Sequence, residues 1–366
     1  MFLDKIIIVN KGSLEIVPPT ITLAKLLSEQ KKDIKIICTM CSSKVKIDLE
    51  KKGIKVYETG YKICLKGKLS KIEKWTKFRK AAWYIIDKEY DSKTKLWVVG
   101  GDTILALGKK IYKYKYILTL LELYDKNYIY KFLLGEYSRK AQNLVVPEFC
   151  RANIMKVWWN LEKRPTVLPN KPYMDDINIE SLQVDLEIEK ILNDKKKKII
   201  LYQGHINKDR DLTNIVKALK KINDEQYVLV LMGRNYENTV EYLQKIYKNI
   251  IYLGFIKNPH YFKITKKAMI GIATYDDSSL NHIFCAPNKI YEYAYFGIPI
   301  LGRDIPGLEY TIGINGAGIC VNMDSIESIS KGILKIERNY SVFRENTIKF
   351  SESVNLKNIV METLKN

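Results

Sequence analysis

The sequence predicts two doubly wound α/β domains in series, on three observations. Short apolar, β-branched runs recur along the chain, beginning with Lys5-Ile6-Ile7-Ile8-Val9. Such runs mark parallel strands buried on both faces. Segments of helical spacing separate them. The pattern then stops at the proline-rich segment Pro165–Pro172 and starts again at Lys197. With 366 residues and 46% hydrophobic content, each half is long enough to bury its own core.

In the first half, Asn10-Lys11-Gly12-Ser13 is expected as a loop after the first strand. Gly12 is either a point of close backbone approach to a ligand or a plain β–α turn glycine. Pro18 and Pro19 lead into a helix over Thr20–Glu29, with Ile21, Ala24 and Leu27 at helical spacing. Ile34–Cys38 reads as a strand, Val45–Lys52 as a helix and Ile54–Tyr57 as a third strand. No G-x-G-x-x-G occurs, so the dinucleotide fingerprint is absent. Ser70–Lys88 is a basic helix carrying Trp75, Phe78 and Trp83. It either covers the sheet or touches a membrane or a lipid-linked substrate. The strand Leu96–Val99 ends at Gly100-Gly101-Asp102, and the strand Tyr116–Leu120 runs out toward Glu122 and Asp125. Ligands of α/β sheets bind at the carboxyl ends of strands. Asp102, Glu122 and Asp125 are therefore candidate acids, bases or sugar ligands, and each also suits a helix cap. A strand over Asn143–Glu148 and a helix over Phe149–Trp159, with Arg151 near its start, close the first domain, residues 1–170.

A linker at about Pro169–Asp176 leads to a helix over Leu182–Asn193 and a new first strand, Lys197–Tyr202. The loop Gln203–Leu212 enters a helix over Thr213–Ile222. Tyr227–Leu231 is a second strand followed by Met232-Gly233-Arg234, and Asn249–Leu253 a third, closed by Gly254 and Phe255. After a short helix at Tyr261–Lys267 comes a fourth strand, Met269–Ala273. The stretch Cys285–Leu301 then reads as loop, short helix, turn and strand. Pro287 suits a helix start, Gly297 a left-handed stop, and Pro299 forbids continuation. The helix N-terminus presents Asn288, Lys289 and Glu292, and helix N-termini attract anions. Lys289 adds a full charge, and Glu292 can accept two hydroxyl hydrogen bonds. A phosphate followed by a diol is the outline of a ribose diphosphate. This second domain is placed at 177–345. Residues 346–366 are read as one helix whose spare apolar positions suit packing back onto the first domain.

The net charge of +20 invites a nucleic-acid reading, but only nine of the 61 basic residues are Arg. Lys is the less discriminating phosphate ligand, and no zinc-finger or RNP signature is present. No nucleic-acid partner is expected. A lysine-rich surface is either simply solvated or faces an anionic membrane, which requires no base recognition. No stretch is long and apolar enough to span a bilayer, and Phe2-Leu3-Asp4-Lys5 reads as strand entry rather than leader. The expected location is cytoplasmic, with a peripheral position at the inner face of the membrane compatible with the charge. Cys38-Thr39-Met40-Cys41 is a lone C-x-x-C without a second pair or nearby His, read as two reduced cysteines at a strand end, with a redox pair as the alternative.

Taken together, several short segments of the second half resemble the C-terminal domain of GT-B glycosyltransferases, most closely the retaining family 4 of bacterial nucleotide-sugar transferases. They are Tyr202-Gln203-Gly204 with Arg210-Asp211-Leu212, Leu231-Met232-Gly233, Tyr252-Leu253-Gly254-Phe255-Ile256, Pro287-Asn288-Lys289 with Glu292-Tyr293, and Gly297-Ile298-Pro299-Ile300. The first half is similar more loosely, through its first strand, the Gly12-Ser13 loop and the region before Pro169.

The resemblance implies GT-B architecture, with two Rossmann-like domains facing across a cleft. It implies a transferase that moves a sugar from a UDP- or GDP-linked donor to a saccharide hydroxyl, lipid-linked, in capsule or surface-polysaccharide synthesis. In that reading Arg210 and Lys289 bind the donor diphosphate and Glu292 holds the ribose hydroxyls. Phe255 and Ile256 meet the base, while Gly12 and Gly233 approach the ligand through their backbone. Glu292 matches the second Glu of the family's E-x7-E motif, but the first falls on Phe284. Asp276, Asp277 or backbone amides around Cys285–Asn288 are the candidates to take over its contacts. Neither a metal nor another cofactor is expected, since the resemblance is to GT-B enzymes and not to the metal-dependent GT-A class. Glu122 or Asp102 becomes the candidate base if the reaction inverts; otherwise Glu122 orients sugar or acceptor. The alternatives are a non-catalytic nucleotide-sugar or glycan-binding subunit and a nucleotide-sugar epimerase on the same fold. The epimerase is disfavoured by the presence of only three His.

Overall fold

A computed structural model describes residues 5–30, 32–61, 64, 66–194, 197–207, 210–223 and 225–365. The expected strand entry at Phe2–Asp4 and positions 208 and 209 of the loop before Arg210 lie outside the described residues. The chain divides into two compact units, Met1–Tyr173 with Asn355–Asn366, and Met174–Val354.

The first unit runs β1 (Lys5–Ser13), α1 (Pro18–Glu29), β2 (Asp33–Met40), α2 (Ser43–Glu50), β3 (Lys55–Glu58), α3 (Gly67–Glu89), β4 (Thr94–Val99), α4 (Gly101–Leu107), β5 (Tyr116–Thr119), α5 (Tyr128–Lys140), β6 (Asn143–Val146), α6 (Phe149–Trp158) and β7 (Thr166–Val167). The seven strands are ordered β3-β2-β1-β4-β5-β6-β7, and every pairing is parallel. The order reverses between β1 and β4, the switch point where doubly wound sheets open a crevice. Ile7, Ile8 and Val9 are wholly buried, as strands covered on both faces require. Side-chain caps fix the helix starts. Asn127 accepts from the Tyr130 amide at 3.1 Å, and Glu148 from the amides of Cys150 and Arg151 at 2.7 and 2.9 Å.

The second unit runs α7 (Leu186–Asn193), β8 (Lys198–Gln203), α8 (Thr213–Ile222), β9 (Tyr227–Met232), α9 (Thr239–Ile246), β10 (Ile250–Tyr252), α10 (Tyr261–Thr265), β11 (Ile270–Ala273), α11 (Leu280–Ile283), α12 (Asn288–Tyr295), β12 (Ile300–Arg303), α13 (Pro306–Leu308), β13 (Gly318–Val321), α14 (Ile326–Arg338) and α15 (Tyr340–Ser353). Its six strands are ordered β10-β9-β8-β11-β12-β13, again all parallel, with the switch point between β8 and β11. The expected fold class, two doubly wound parallel-sheet α/β units, is the one observed.

Two local expectations change. The predicted loop at Asn10–Ser13 is the end of β1, continued through a register shift between Asn10 and Ser13, with the Gly12 amide donating to Thr39 Oγ1 at 3.1 Å. The predicted single helix over 346–366 is two, because the apolar spacing runs on across a break. Val354 is extended, and the Asn355 carboxamide accepts from the Asn358 amide at 3.0 Å, starting α16 (Leu356–Lys365) afresh. Helix α16 belongs to the first unit, packing on α1 and receiving Asn143 Nδ2 on its Thr363 carbonyl at 2.7 Å. Among the described residues no helix is long and apolar enough to cross a membrane. All six cysteines are free, and burial pushes the Cys38 and Cys41 thiols up to about 12 and about 11, opposite to a reactive redox pair.

Candidate functional site

In the second unit, three neighbouring strands, β10, β9 and β8, end at Gly254, Gly233 and Gly204. The amides chain across them: Gly204 donates to the Met232 carbonyl at 2.9 Å and Gly233 to the Gly254 carbonyl at 2.8 Å. A Cβ on Gly233 would lie 1.7 Å from the Gly204 carbonyl oxygen, and its φ of +150° is hostile to other residues, so only glycine fits. These strand ends and the start of α12 enclose a cavity of about 310 Å³. It is lined by Gly204, Gly233, Phe255, Ile256, Asn288, Lys289 and Glu292 among others. Six of the residues expected at a donor site therefore meet around one space: Gly233, Phe255, Ile256, Asn288, Lys289 and Glu292.

Pro287 is extended and leads directly into α12, so the helix begins at Asn288 on the cavity wall. The Lys289 ammonium lies 4.3 Å from the centre of the Tyr202 ring. Tyr275, also on the wall, holds the Arg210 guanidinium at 3.9 Å and Lys289 at 5.7 Å from its ring centre. Burial, then the Arg210 charge, press the Lys289 amine well below its ordinary value. Burial, then the charges of Arg234, Arg210 and Lys289, likewise hold the His205 imidazole down. Both shifts arise first from burial and then from the positive charges gathered at this wall.

Among the described residues Glu292 is the one carboxylate on the wall. Burial raises its pKa, against hydrogen bonds and the Lys289 charge that oppose the rise. Tyr261 donates its hydroxyl to Oε1 at 2.7 Å, Gln203 donates its amide to Oε2, and Thr265 fixes Gln203 from behind at 2.8 Å. The side chain is thus oriented before any ligand arrives, with one partner on each oxygen and lone pairs remaining.

The remaining candidates are not among the residues that line this cavity. Asp276 sits on the loop after β11, where Ser278 donates both its amide (2.9 Å) and its hydroxyl (2.6 Å) to it, and His282 Nδ1 is 2.7 Å away. Those bonds hold its carboxyl down to about 2 and organise the loop itself. Asp277 lies 3.4 Å from Arg303. At Phe284 and Cys285 the backbone is pressed against Gly307, where a Cβ would come within 2.8 Å. In the first unit, Ser13 donates to Glu15, and Glu122 is half exposed with Arg151 at 3.7 Å. Asp102 accepts from Lys11, from Trp75 Nε1 at 2.9 Å and from the Tyr130 hydroxyl at 3.0 Å. Asp102 and Glu122 both lie close enough to Tyr124 to add to the burial that pushes its hydroxyl up to about 12. Asp125 is half-buried in the same loop.

Sequence reasoning missed Gln203 and Tyr261 as the supports of Glu292, and Tyr275 as the platform between Arg210 and Lys289. It also passed over Arg234, although a basic residue directly after a strand-end glycine was a usable signal.

Residues 183–353, nearly the whole second unit, match the family model described as glycosyl transferases group 1. The second unit thus resembles the group 1 glycosyltransferases over nearly its whole length. The cavity lies within the matched segment, at the carboxyl ends of its strands. Solved structures with similar folds include a glycosyltransferase from Rickettsia africae, at 15% identity and a TM-score of 0.72, covering 99% of this chain and 97% of that one. Anabaena HepE in complex with UDP and glucose aligns at 11% identity and a TM-score of 0.73, covering 99% and 98%. Sucrose-phosphate synthase from Thermosynechococcus elongatus aligns at 14% identity and 0.71, with 99% and 98% covered. At such identities the likeness is one of fold. Among curated protein sequences, none matches the chain.

Proposed function

We propose that the protein transfers a sugar from a nucleoside-diphosphate sugar to a saccharide hydroxyl. One observation carries the reading: a segment that resembles the group 1 glycosyltransferases places the buried Lys289 and the start of α12 on one cavity wall, with Arg210 behind Tyr275 and an exposed Phe255 at its edge. The leaving nucleoside diphosphate gains negative charge as the glycosidic bond breaks. Lys289, Arg210 and the helix terminus meet that charge without reorganising. Glu292, pre-oriented by Gln203 and Tyr261, takes the ribose hydroxyls. The backbone at Gly204 and Gly233 lets the ligand approach closely, and Phe255 with Ile256 packs the base.

The finer reading is a retaining, metal-independent transfer. The two cations and the α12 terminus supply the stabilisation a divalent ion would otherwise give, and the leaving phosphate takes the acceptor proton, so no strong protein base is required. The acceptor is read as a lipid-linked saccharide of bacterial surface-polysaccharide synthesis, with the protein peripheral at an anionic membrane. The first unit supports this with an exposed apolar face. Tyr128, Ile129 and Phe132 on the first turns of α5 are 80%, 72% and 71% exposed. Lys71 of α3 stacks near Tyr130 at 5.0 Å, beside the exposed Ile72. A second reading, a nucleotide-sugar-binding subunit without turnover, is favoured by Phe284 standing where the family's first Glu would be. Incubation with a panel of nucleotide sugars tests the choice. Release of nucleoside diphosphate from one donor supports the transferase, binding without release even with acceptor supports the subunit, and neither defeats both.

A further inference from the structure

Arg234 has no assigned role, yet it lines the donor cavity. Its backbone is fixed: the Arg234 carbonyl accepts from the Ile206 amide at 2.9 Å, and Asn235 bridges to Ile206 beyond the ends of β8 and β9. The Tyr252 hydroxyl anchors the adjoining Gly233 carbonyl at 3.0 Å. The guanidinium sits 5.2 Å from the centre of the Phe255 ring, and among the described residues no carboxylate pairs with it. The cavity therefore draws positive charge from two segments. At one, Lys289, Arg210 and Tyr275 gather at the start of α12. At the other, Arg234 lies over the Phe255 ring, and that residue is 60% exposed.

Resting on the donor-site reading above, we propose that Arg234 selects the nucleobase of the donor. A base stacked on Phe255 presents its edge to the guanidinium. Arginine offers only N–H donors in a planar fork, so it matches edges that carry acceptors. Uracil presents O4 there, and guanine O6 with N7. Adenine and cytosine place an amino group at the same position and oppose donor with donor. The donor class is therefore uridine- or guanosine-diphosphate sugars, excluded from its adenosine and cytidine counterparts by one side chain.

The test is calorimetric titration of the intact protein with UDP, GDP, ADP, CDP and inorganic pyrophosphate, repeated on Arg234→Met and Arg234→Lys. The expected result is that UDP or GDP binds at least about tenfold tighter than its amino-bearing counterpart (CDP or ADP), a ratio typical of arginine reading a base edge. That ratio falls toward one in Arg234→Met and to an intermediate value in Arg234→Lys, which keeps the charge but loses the fork. Circular dichroism identical to wild type confirms folding. A ratio that persists in Arg234→Met overturns the proposal. So does an equal loss for pyrophosphate and all nucleotides, which makes Arg234 a phosphate ligand, or a wild-type protein indifferent to the base. Failure of every diphosphate to bind removes the donor-site reading itself, and the selectivity with it.

Discussion

Replacing Lys289 with methionine separates what the residue costs from what it does. Methionine keeps most of the aliphatic stem and removes the charge. The ammonium is nine-tenths buried, with the Tyr202 ring at 4.3 Å and the Arg210 charge nearby. Its pKa falls from 10.5 to about 7 in the folded protein, so the charged form is penalised relative to the unfolded chain. Between those values the unfolded chain binds more protons, and wild-type stability rises with pH. Below about 7 the penalty is present in full. Losing the contact to Tyr202 costs roughly 1 kcal/mol, while relief of desolvation offsets it. The thermal midpoint of Lys289→Met is therefore unchanged or raised at pH 6, by roughly 2–4 °C for each kcal/mol gained. The advantage shrinks by pH 9, where the wild-type Lys289 has already released its proton and with it much of the desolvation penalty. Donor binding moves the other way. A charge-assisted hydrogen bond to phosphate is worth about 1.5–3 kcal/mol, so nucleoside diphosphate affinity falls roughly 10- to 150-fold. Scanning calorimetry at both pH values and titration with UDP and GDP measure the two effects. Wild-type affinity in a folded variant, or a variant that no longer folds at pH 6, refutes the reasoning.

Other consequences follow from the same geometry. Nucleoside diphosphate binding takes up protons at pH 8, because the bound phosphates restore the charge that burial removes from Lys289, and affinity falls as pH rises above about 7. Calorimetry in buffers of different ionisation enthalpy detects the uptake, and a buffer-independent heat contradicts it. Gly233→Ala abolishes donor binding and lowers stability by more than about 2 kcal/mol, since its Cβ meets the Gly204 carbonyl at 1.7 Å. Gly254→Ala, with nothing within 4 Å, costs only about 1 kcal/mol of backbone strain; equal melting points for the two variants would be the wrong result. Ile129→Asp with Phe132→Asp removes binding to anionic vesicles in a sedimentation assay without lowering the melting point, because both side chains are already solvent-exposed. Undiminished sedimentation excludes this face as the membrane contact.

Much of the fold is legible in the sequence because strands buried on both faces advertise themselves. Runs such as Ile6–Val9 and Tyr227–Leu231 admit few other readings. The start of α12 was legible for a local reason too: Pro287, Gly297 and Pro299 delimit it within one short stretch. What escaped depends on contacts between distant segments. Nothing in sequence joins Gln203, Tyr261 and Thr265 to Glu292, although their hydrogen bonds are what fix that carboxylate. Asp102 stood out at a strand end, but its donors come from β1, α3 and α5, and they leave it a held group rather than a free one. The break at Val354–Asn355 was hidden because apolar spacing continues on either side of it.

The central claim is that the second unit binds a nucleoside diphosphate across its strand ends. A crystal structure with UDP or GDP bound tests it most directly. The account predicts phosphates at the start of α12 within reach of Lys289 and Arg210, ribose hydroxyls on Glu292, and the base on Phe255 beside Arg234. A nucleotide seated elsewhere, or with its phosphates away from Lys289, contradicts it.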